Sequence, residues 1–238
     1  MTWSIIARDR DSAQLGIAVA SRFFAVGAVV PHVRSHAGAI ATQALVNSFY
    51  GTEGLRLLQE GRSSPDVVSA VTTADPGREH RQVHAMDLHG RIGAHTGREC
   101  IRWCGHLAAT DFSVAGNMLA GAGVLETTAE VYERNAGLPF PRRLIAAMRA
   151  GEAAGGDKRG RQSAALVLCG EQDWPDLDLR VDDHADPLAE LERLERVSRE
   201  LFVPFRRLVP NRRDRVGLTD HKAIESETAR AAAAEGPA

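Results

Sequence analysis

The chain has 238 residues, 44% of them hydrophobic, enough to bury one substantial core and within the range of a single α/β or sandwich domain with a tail. Its formal net charge of -2 offers no general field for nucleic acid or acidic lipid, and no apolar run reaches the length of a membrane span. The N-terminus lacks the basic start and apolar core of a secretion signal, so the expectation is a cytoplasmic protein with neither a nucleic-acid nor a membrane partner.

Met1 to Arg22 holds two apolar runs around the polar segment Arg8–Gln14, which predicts a β-hairpin whose first strand begins at the terminus. Removal of Met1, which the small side chain of Thr2 permits, leaves a hydroxyl and a free α-amine on one residue. An α-amine has a reference pKa of about 7.7–8.0, so it can accept the hydroxyl proton near neutrality. Thr is equally an ordinary second residue at the start of a strand.

Phe23–Val33 is apolar but broken by Gly27 and Pro31, which suits a loop or short edge strand and offers a surface for homo-oligomer formation. Gly38–Thr42 is a short buried-strand candidate running into Gln43 and Asn47. Those amides can line a pocket or serve as turn and cap residues. Thr52–Gly61 and the stretch opening Ser63-Ser64-Pro65-Asp66 predict two short helices ending near Asp75-Pro76-Gly77. Gln82–Asp87 and Arg91–Thr96 read as a second hairpin through Leu88-His89-Gly90, with a third strand at Asp111–Ala115. A turn-rich bridge, Gly116–Gly121, then leads to helices at Val124–Asn135 and Pro141–Gly151. The polar glycine-rich loop Ala154–Ser163 feeds a strand at Ala164–Cys169, followed by another at Leu177–Val181. Asp186-Pro187 opens a long amphipathic helix through about Phe202. From Pro210 the chain turns Arg-rich and then Ala-rich, so residues 1–209 are expected to form one domain and 210–238 a mobile extension. Strand runs alternating with helix pairs argue for two packed antiparallel sheets with helices outside, against a doubly wound parallel sheet.

With these segments placed, the sequence resembles the bacterial family called domain of unknown function 1028, grouped with the N-terminal nucleophile (Ntn) hydrolases. The resemblance is carried by Met-Thr-Trp-Ser-Ile-Ile-Ala-Arg-Asp at the start, Ala-Val-Ala-Ser-Arg-Phe around Ser21, and Gly-Ala-Ile-Ala-Thr-Gln at Gly38. It continues with Asp75-Pro-Gly-Arg-Glu-His-Arg-Gln, Ala94-His-Thr-Gly, Gly116-Asn-Met-Leu-Ala-Gly, Gly155-Gly-Asp-Lys-Arg-Gly-Arg-Gln-Ser and Leu179-Arg-Val-Asp-Asp-His. It implies an α+β fold, a four-layer αββα sandwich of two stacked antiparallel sheets flanked by helices. The first strand would present Thr2 at one end of the sheets once Met1 is gone. No substrate comes with the family. The wider superfamily includes proteasome β-type subunits, and Ser21-Arg22 resembles the polar pair that steadies the nucleophile there. Gly160–Ser163 falls where those proteins place partners of the α-amine, and Asn117 follows a strand where an oxyanion donor can stand. One departure is that the proteasome type carries a Lys on the strand after the first hairpin. Here that neighbourhood offers His32, Arg34 and His36, leaving Lys158 or an Arg to supply a positive field, or an amine tuned differently.

The chemistry this implies is acyl transfer: the Thr2 hydroxyl attacks an amide carbonyl, the α-amine takes the proton, and water later releases the acyl group. The oxyanion donors would be the Asn117 side chain and a backbone N–H near Thr42-Gln43, one such donor being worth about 2.7–4 kcal/mol. Asn117 can also be a turn residue in the left-handed region. Ser21, Arg22, Asp157 and Ser163 complete the candidate catalytic set. Gln43, Asn47, Arg78, His95 and Lys158 form the candidate substrate-binding set. Arg78 suits a carboxylate, and Asp157-Lys158-Arg159 an anionic group or the amine, although each is also an ordinary solvated turn.

His80, His84, His89, His95 and His106 raise a metal reading, since His80 and His84 could share a strand face. No His-Glu-x-x-His helix or accompanying carboxylate pattern appears, and Cys100, Cys104 and Cys169 make no second pair for zinc. No metal or cofactor is expected. The sequence therefore predicts an N-terminal-nucleophile amidohydrolase acting on a small polar amide. The alternatives are a ligand-binding member of the same fold that keeps Met1, and a His-based metal hydrolase.

Overall fold

The structure, a computed structural model, describes residues 2–234. The opening hairpin is present as β1 (Thr2–Asp9) and β2 (Gln14–Ser21), paired from Thr2↔Ser21 to Asp9↔Gln14. Then come β3 (Pro31–Arg34), β4 (Gly38–Ala44), α1 (Ser48–Gln59), α2 (Ser64–Thr73), β5 (Arg81–Asp87) and β6 (Ile92–Thr96). After these follow β7 (Gly105–Ala109), β8 (Phe112–Asn117), α3 (Gly123–Arg134), α4 (Phe140–Ala153), β9 (Ser163–Cys169) and β10 (Leu177–Val181). The chain ends in α5 (Pro187–Ser198), α6 (Phe202–Arg206) and α7 (His221–Ala234). It separates into two compact units, Met1–Leu191 and Glu192–Ala238. No described helix is long and apolar enough to cross a membrane.

The ten strands form two antiparallel sheets, a six-stranded one in the order β10-β9-β2-β1-β8-β7 and a four-stranded one in the order β3-β4-β5-β6. Side chains alternate across a strand, so each sheet presents two distinct faces. Ile6, Ile17, Val19 and Ala165 of the larger sheet pack in one cluster with Ala39, Ala41 and Met86 of the smaller, which stacks the sheets face to face. On the outer face of the smaller sheet, Ile40, Val83 and Ala85 pack with Leu55, Leu58, Val67 and Val71 of α1 and α2. On the outer face of the larger sheet, Phe140 and Leu144 of α4 sit directly over Gly16, where a Cβ would collide with them. The result is the expected α+β arrangement of two antiparallel sheets between helical layers.

Several elements differ from the sequence reading. Helix α1 starts at Ser48 because Asn47 caps it, its side chain accepting from the Phe49 N–H at 3.1 Å. The apolar Phe23–Val33 stretch, by contrast, is the expected loop and short edge strand: a 3-10 turn at Val26–Ala28 leads to β3, which opens on Pro31 where a missing N–H does no harm, and Phe23 and Phe24 stay exposed. Strand β7 was not anticipated, since Gly105–Ala109 is short and lies at the sheet edge with alternating half-exposed residues. Strand β8 extends to Asn117, two residues past the expected Ala115. His80 ends a 3-10 turn, Arg78–His80, and shares no strand face with His84.

Trp3 and Ile5 point from β1 toward the helices, while Thr2, Ser4 and Ile6 point toward the other sheet. The close approach of α3 and α4 beneath Trp3 depends on Gly151, whose added Cβ would collide with Thr128 Oγ1 and stand 3.1 Å from Trp3 Nε1. Gly151→Ala, normally stabilising in a helix, is therefore expected to lower stability by about 1–3 kcal/mol through overpacking. A urea denaturation midpoint would show it.

Candidate functional site

At the end of the sandwich where β1 begins, four neighbouring strands of the larger sheet each carry a polar side chain at the same level. Pairing Thr2↔Asn117, Thr2↔Ser21 and Ser21↔Ser163 aligns Asn117, Thr2, Ser21 and Ser163 in one row, all buried and facing the smaller sheet. Thr2 Oγ1 lies 3.1 Å from Ser21 Oγ. Asn117 Nδ2 donates to Gln82 Oε1 at 3.1 Å and, at the longer distance of 3.4 Å, to the Thr2 carbonyl. Ser163 Oγ accepts from the Val26 N–H at 3.1 Å and donates to the Phe23 carbonyl, which ties down the turn after Ser21.

Two residues further along β1, Ser4 continues the polar face. Its hydroxyl donates to Gln43 Oε1 at 2.8 Å and also lies 2.8 Å from His84 Nε2. A hydroxyl has one hydrogen, so His84 Nε2 must be the donor in the second bond, and its Nδ1 then accepts from Ser113 Oγ at 2.9 Å. Gln82 links the two sheets. Its Oε1 accepts from Gln43 Nε2 at 2.8 Å as well as from Asn117, and its Nε2 faces Thr96 Oγ1, Gly105 O and Gly116 O, each at 2.9 Å. Burial, with a smaller contribution from His106, pushes the His84 pKa down to about 3, so the ring is neutral under ordinary conditions.

All of these residues lie within 2–191, the stretch matched by a family described as a family of unknown function, DUF1028. The chain belongs to the DUF1028 family. A solved DUF1028 structure, protein SPO2555 from Silicibacter pomeroyi, is 34% identical over 92% of this chain and 96% of that one, with a TM-score of 0.85. The Anbu (ancestral β-subunit) protein from Yersinia bercovieri matches at 9% identity over 80% of this chain and 91% of that one, with a TM-score of 0.42. No curated protein matches.

In this DUF1028 chain, Thr2, Ser21, Asn117, Ser163 and Gln43 come together; Ser4 and Gln82 join them without having been singled out in the sequence, and His84, raised there only as a possible metal ligand, joins them as a neutral hydrogen-bonding ring. Arg22 and Asp157 abut the row through the main chain: Asp157 Oδ2 accepts from the Arg22 N–H at 2.8 Å, while the Arg22 side chain goes to the Arg161 carbonyl at 2.9 Å. Asp157 also accepts from the Arg159 N–H at 2.8 Å and pairs with its guanidinium at 3.2 Å, which pins the glycine loop to the end of β2.

The remaining candidates bond elsewhere. Lys158 Nζ donates to the Arg102 carbonyl at 3.0 Å. Arg78 pairs with Glu79 at 3.5 Å. His95 pairs with Val83 on the helix-facing side of the smaller sheet, and its Nε2 meets the Arg78 carbonyl at 3.0 Å. Asn47 Nδ2 donates to Asp75 at 3.0 Å. Asp75 is a structural hub, also accepting from Tyr50 Oη at 2.9 Å, the Gly77 N–H at 2.7 Å and Arg81 Nε at 3.2 Å. Burial opposes its ionisation, but these donors outweigh burial and hold the carboxyl down at about 2. The proposed positive field finds no source in β3 either. His32 packs against Gly51, Arg34 Nη1 donates to Gln59 at 3.1 Å, and His36 meets the Glu171 carbonyl at 2.9 Å. The Thr42 N–H, one of the suggested oxyanion donors, is engaged by the Val30 carbonyl at 3.2 Å. Among the described residues no three His, Cys, Asp or Glu side chains converge as a metal site would require.

Two cavities flank the start of β1. One of about 250 Å³ opens between the ends of β4 and β8 and has Asn117 in its wall. The other, about 140 Å³, lies among Trp3, Ser21, Glu152 and the Gly155–Arg161 loop with Asp157 in its wall.

A neutral buried His84 makes stability pH-dependent. Its folded pKa lies below the unfolded value of 6.5, so its contribution is complete above pH 6.5 and is lost as pH falls toward 3. Between pH 6.5 and 5, above most carboxylate titration, the unfolding free energy of the wild type is expected to fall. His84→Gln should flatten that slope, measured from urea midpoints at each pH. His32 and His106, also held low by burial, leave a residual slope.

Proposed function

We propose that this protein is an N-terminal-nucleophile amidohydrolase in which Thr2, bared by removal of Met1, attacks the carbonyl of a small amide. The observation that carries this reading is the polar row: Thr2 stands at the first position of a central strand, with a hydroxyl partner 3.1 Å away on Ser21 and an amide donor, Asn117, paired beside it. A Thr serving only as a strand starter needs neither neighbour. Met1 itself lies outside the described residues.

In this reading the α-amine removes the Thr2 hydroxyl proton as Oγ1 bonds to the substrate carbonyl carbon. The tetrahedral oxyanion takes a hydrogen bond from Asn117 Nδ2, which keeps its bond to Gln82 and gives up the long 3.4 Å contact to the Thr2 carbonyl. Collapse breaks the C–N bond, the ammonium returns its proton to the leaving amine, and water hydrolyses the acyl ester to regenerate Thr2. Ser21 holds the hydroxyl in place. Gln82 fixes the orientation of Asn117, and Ser163 and Asp157 fix the loops on either side. An unperturbed α-amine has a reference pKa of about 7.7–8.0, which suits it to the base role in this reading.

The reading requires an intact mass one Met short of the full sequence. On a panel of small amides, ureides and acyl-amino acids, Thr2→Ala is expected to abolish turnover at a stability cost of about 1 kcal/mol, from loss of the buried bond to Ser21, and Thr2→Ser to retain part of the turnover. Turnover by Thr2→Ala equal to that of the wild type overturns the mechanism. A retained Met1 supports the alternative, a binding protein of the same fold.

A further inference from the structure

We infer that the cavity beside Asn117 is the acyl-side pocket of this site and that it takes an uncharged, apolar group of hexyl or phenyl size. The inference rests on the Thr2 reading for its reactive end, and it replaces the polar acyl group expected from the sequence with an apolar one.

Three observations support it. The first is the wall itself, made of Ala44, Leu45, Cys100, Ile101 and Met118 with Asn117 at one side. His80 and Glu99 are the ionisable groups in the lining besides the thiol, and no Lys or Arg is among them. The nearby guanidinium groups of Arg78 and Arg98 both turn to Glu79, at 3.5 and 3.2 Å. The Cys100 thiol donates to the Arg81 carbonyl at 3.3 Å, and burial raises its pKa to about 11, so it behaves as a small apolar surface. A chain ending in a carboxylate would meet Glu99 in the lining, and the Arg81 guanidinium behind Leu45 is already engaged by the Leu45 carbonyl at 2.6 Å and Asp75 at 3.2 Å.

The second observation is size and placement. An apolar cavity of about 150 Å³ admits benzene, so one of about 250 Å³ holds a hexyl or phenyl group with room for its connection to a carbonyl. Asn117, in that wall, is the residue paired with Thr2 on the next strand, where partner Cα atoms stand about 4.5–5.5 Å apart. A chain seated in the cavity thus has its carbonyl end delivered toward the Thr2 hydroxyl.

The third observation is that the wall is held open by backbone. Ala44 at the end of β4 and Met118 just after β8 adopt left-handed conformations, with φ of 70° and 55°. Such geometry is strained for a residue with a side chain and persists only where the surroundings impose it. Here they do: Arg81 Nη1 donates to the Leu45 carbonyl at 2.6 Å while Arg81 Nε is anchored on Asp75, and the Met118 N–H is taken by the Ile101 carbonyl at 2.8 Å. Both strands are turned aside at the level of the polar row, and the space between them is the cavity.

The test uses the full chain with Met1 removed and p-nitrophenyl esters of acetate, hexanoate and 5-carboxypentanoate. Acylation rates are read from p-nitrophenolate release, corrected for alkaline reactivity, with the modified residue located by mass spectrometry. Hexanamide is titrated in parallel into the Thr2→Ala variant, which lacks the nucleophile, against the Met118 methyl resonance, assigned through Met118→Leu. The expected result is Thr2 acylation by hexanoate roughly 200-fold faster than by acetate, from burial of four methylenes, and faster than by 5-carboxypentanoate. Ile101→Asp, at an exposed position of the rim, should reduce the hexanoate preference about tenfold. Acetate and hexanoate acylating Thr2 at equal rates overturns the pocket and leaves the nucleophile standing. Hexanamide shifting the Met118 methyl without any ester modifying Thr2 overturns the nucleophile and leaves the pocket. A preference for 5-carboxypentanoate overturns the uncharged class, and neither binding nor acylation overturns both.

Discussion

Polar side chains enclosed between two β-sheets have to satisfy one another, because an unpaired buried donor or acceptor costs about 1–3 kcal/mol. In this protein that requirement governs half of the space between the sheets. Ile6, Ile17, Val19 and Met86 fill one half with hydrocarbon, whereas Thr2, Ser4, Ser21, Ser113 and Asn117 meet Gln43, Gln82 and His84 in the other. The hydrocarbon half tolerates small sliding of one sheet over the other, but the polar half does not. Gln82 engages donors and acceptors from β4, β6, β7 and β8 at once, so displacing any of them orphans a buried amide. A slip of one residue in β1 would send Thr2 and Ser4 to the helix-facing side and bring Trp3 between the sheets. Pairing with β2 on one side and β8 on the other excludes that slip.

The same network explains why the start of β1 is a rigid place for a reactive group. A chain terminus is ordinarily among the most mobile parts of a protein. Thr2 instead sits in a central strand, flanked by hydrogen-bonded neighbours on both edges, in front of a layer of fixed dipoles. Groups that need no reorganisation at the moment of reaction are the most effective electrostatic stabilisers. Asn117 fits that description, because Gln82 fixes one of its two N–H groups and leaves the other in a long, weak contact.

How much of this could be read from the sequence depends on which interaction decided each element. The hairpin, the capped helix at Ser63 and the antiparallel sheet pattern follow from local chemistry, and they emerged at nearly the right residues. Strand β7 and the first turn of α1 depended on neighbours, an edge pairing to β8 and a cap donated by Asn47, and local propensity missed both. The site divided in the same way. Thr2, Ser21 and Asn117 end strands or adjoin turns, so they stood out. Ser4, Gln82 and His84 occupy alternate positions inside strands, a pattern that in a single sheet marks the solvent face. Only the second sheet turns those positions inward, and the periodicity of one strand carries no word of it. Asn47, Arg78 and His95 were singled out for residue type alone. Their partners, Asp75, Glu79 and the Arg78 carbonyl, account for them structurally.

Position in the stack also divides the surroundings of Thr2 into two kinds. Behind it, toward the sandwich interior, every contact is a hydrogen bond that fixes direction. Beyond Asn117, between the turned-aside ends of β4 and β8, the lining is mostly aliphatic and sulfur-bearing, with His80 and Glu99 its other polar side chains. Hydrogen bonds discriminate by geometry, whereas an apolar cavity discriminates by volume, and weakly, by about 1–3 kcal/mol per methylene. A site built this way determines the reacting bond far more strictly than the group attached to it. For the proposed amidohydrolase, this division of polar and apolar surface would give breadth toward neutral acyl groups of similar size and strictness at the carbonyl.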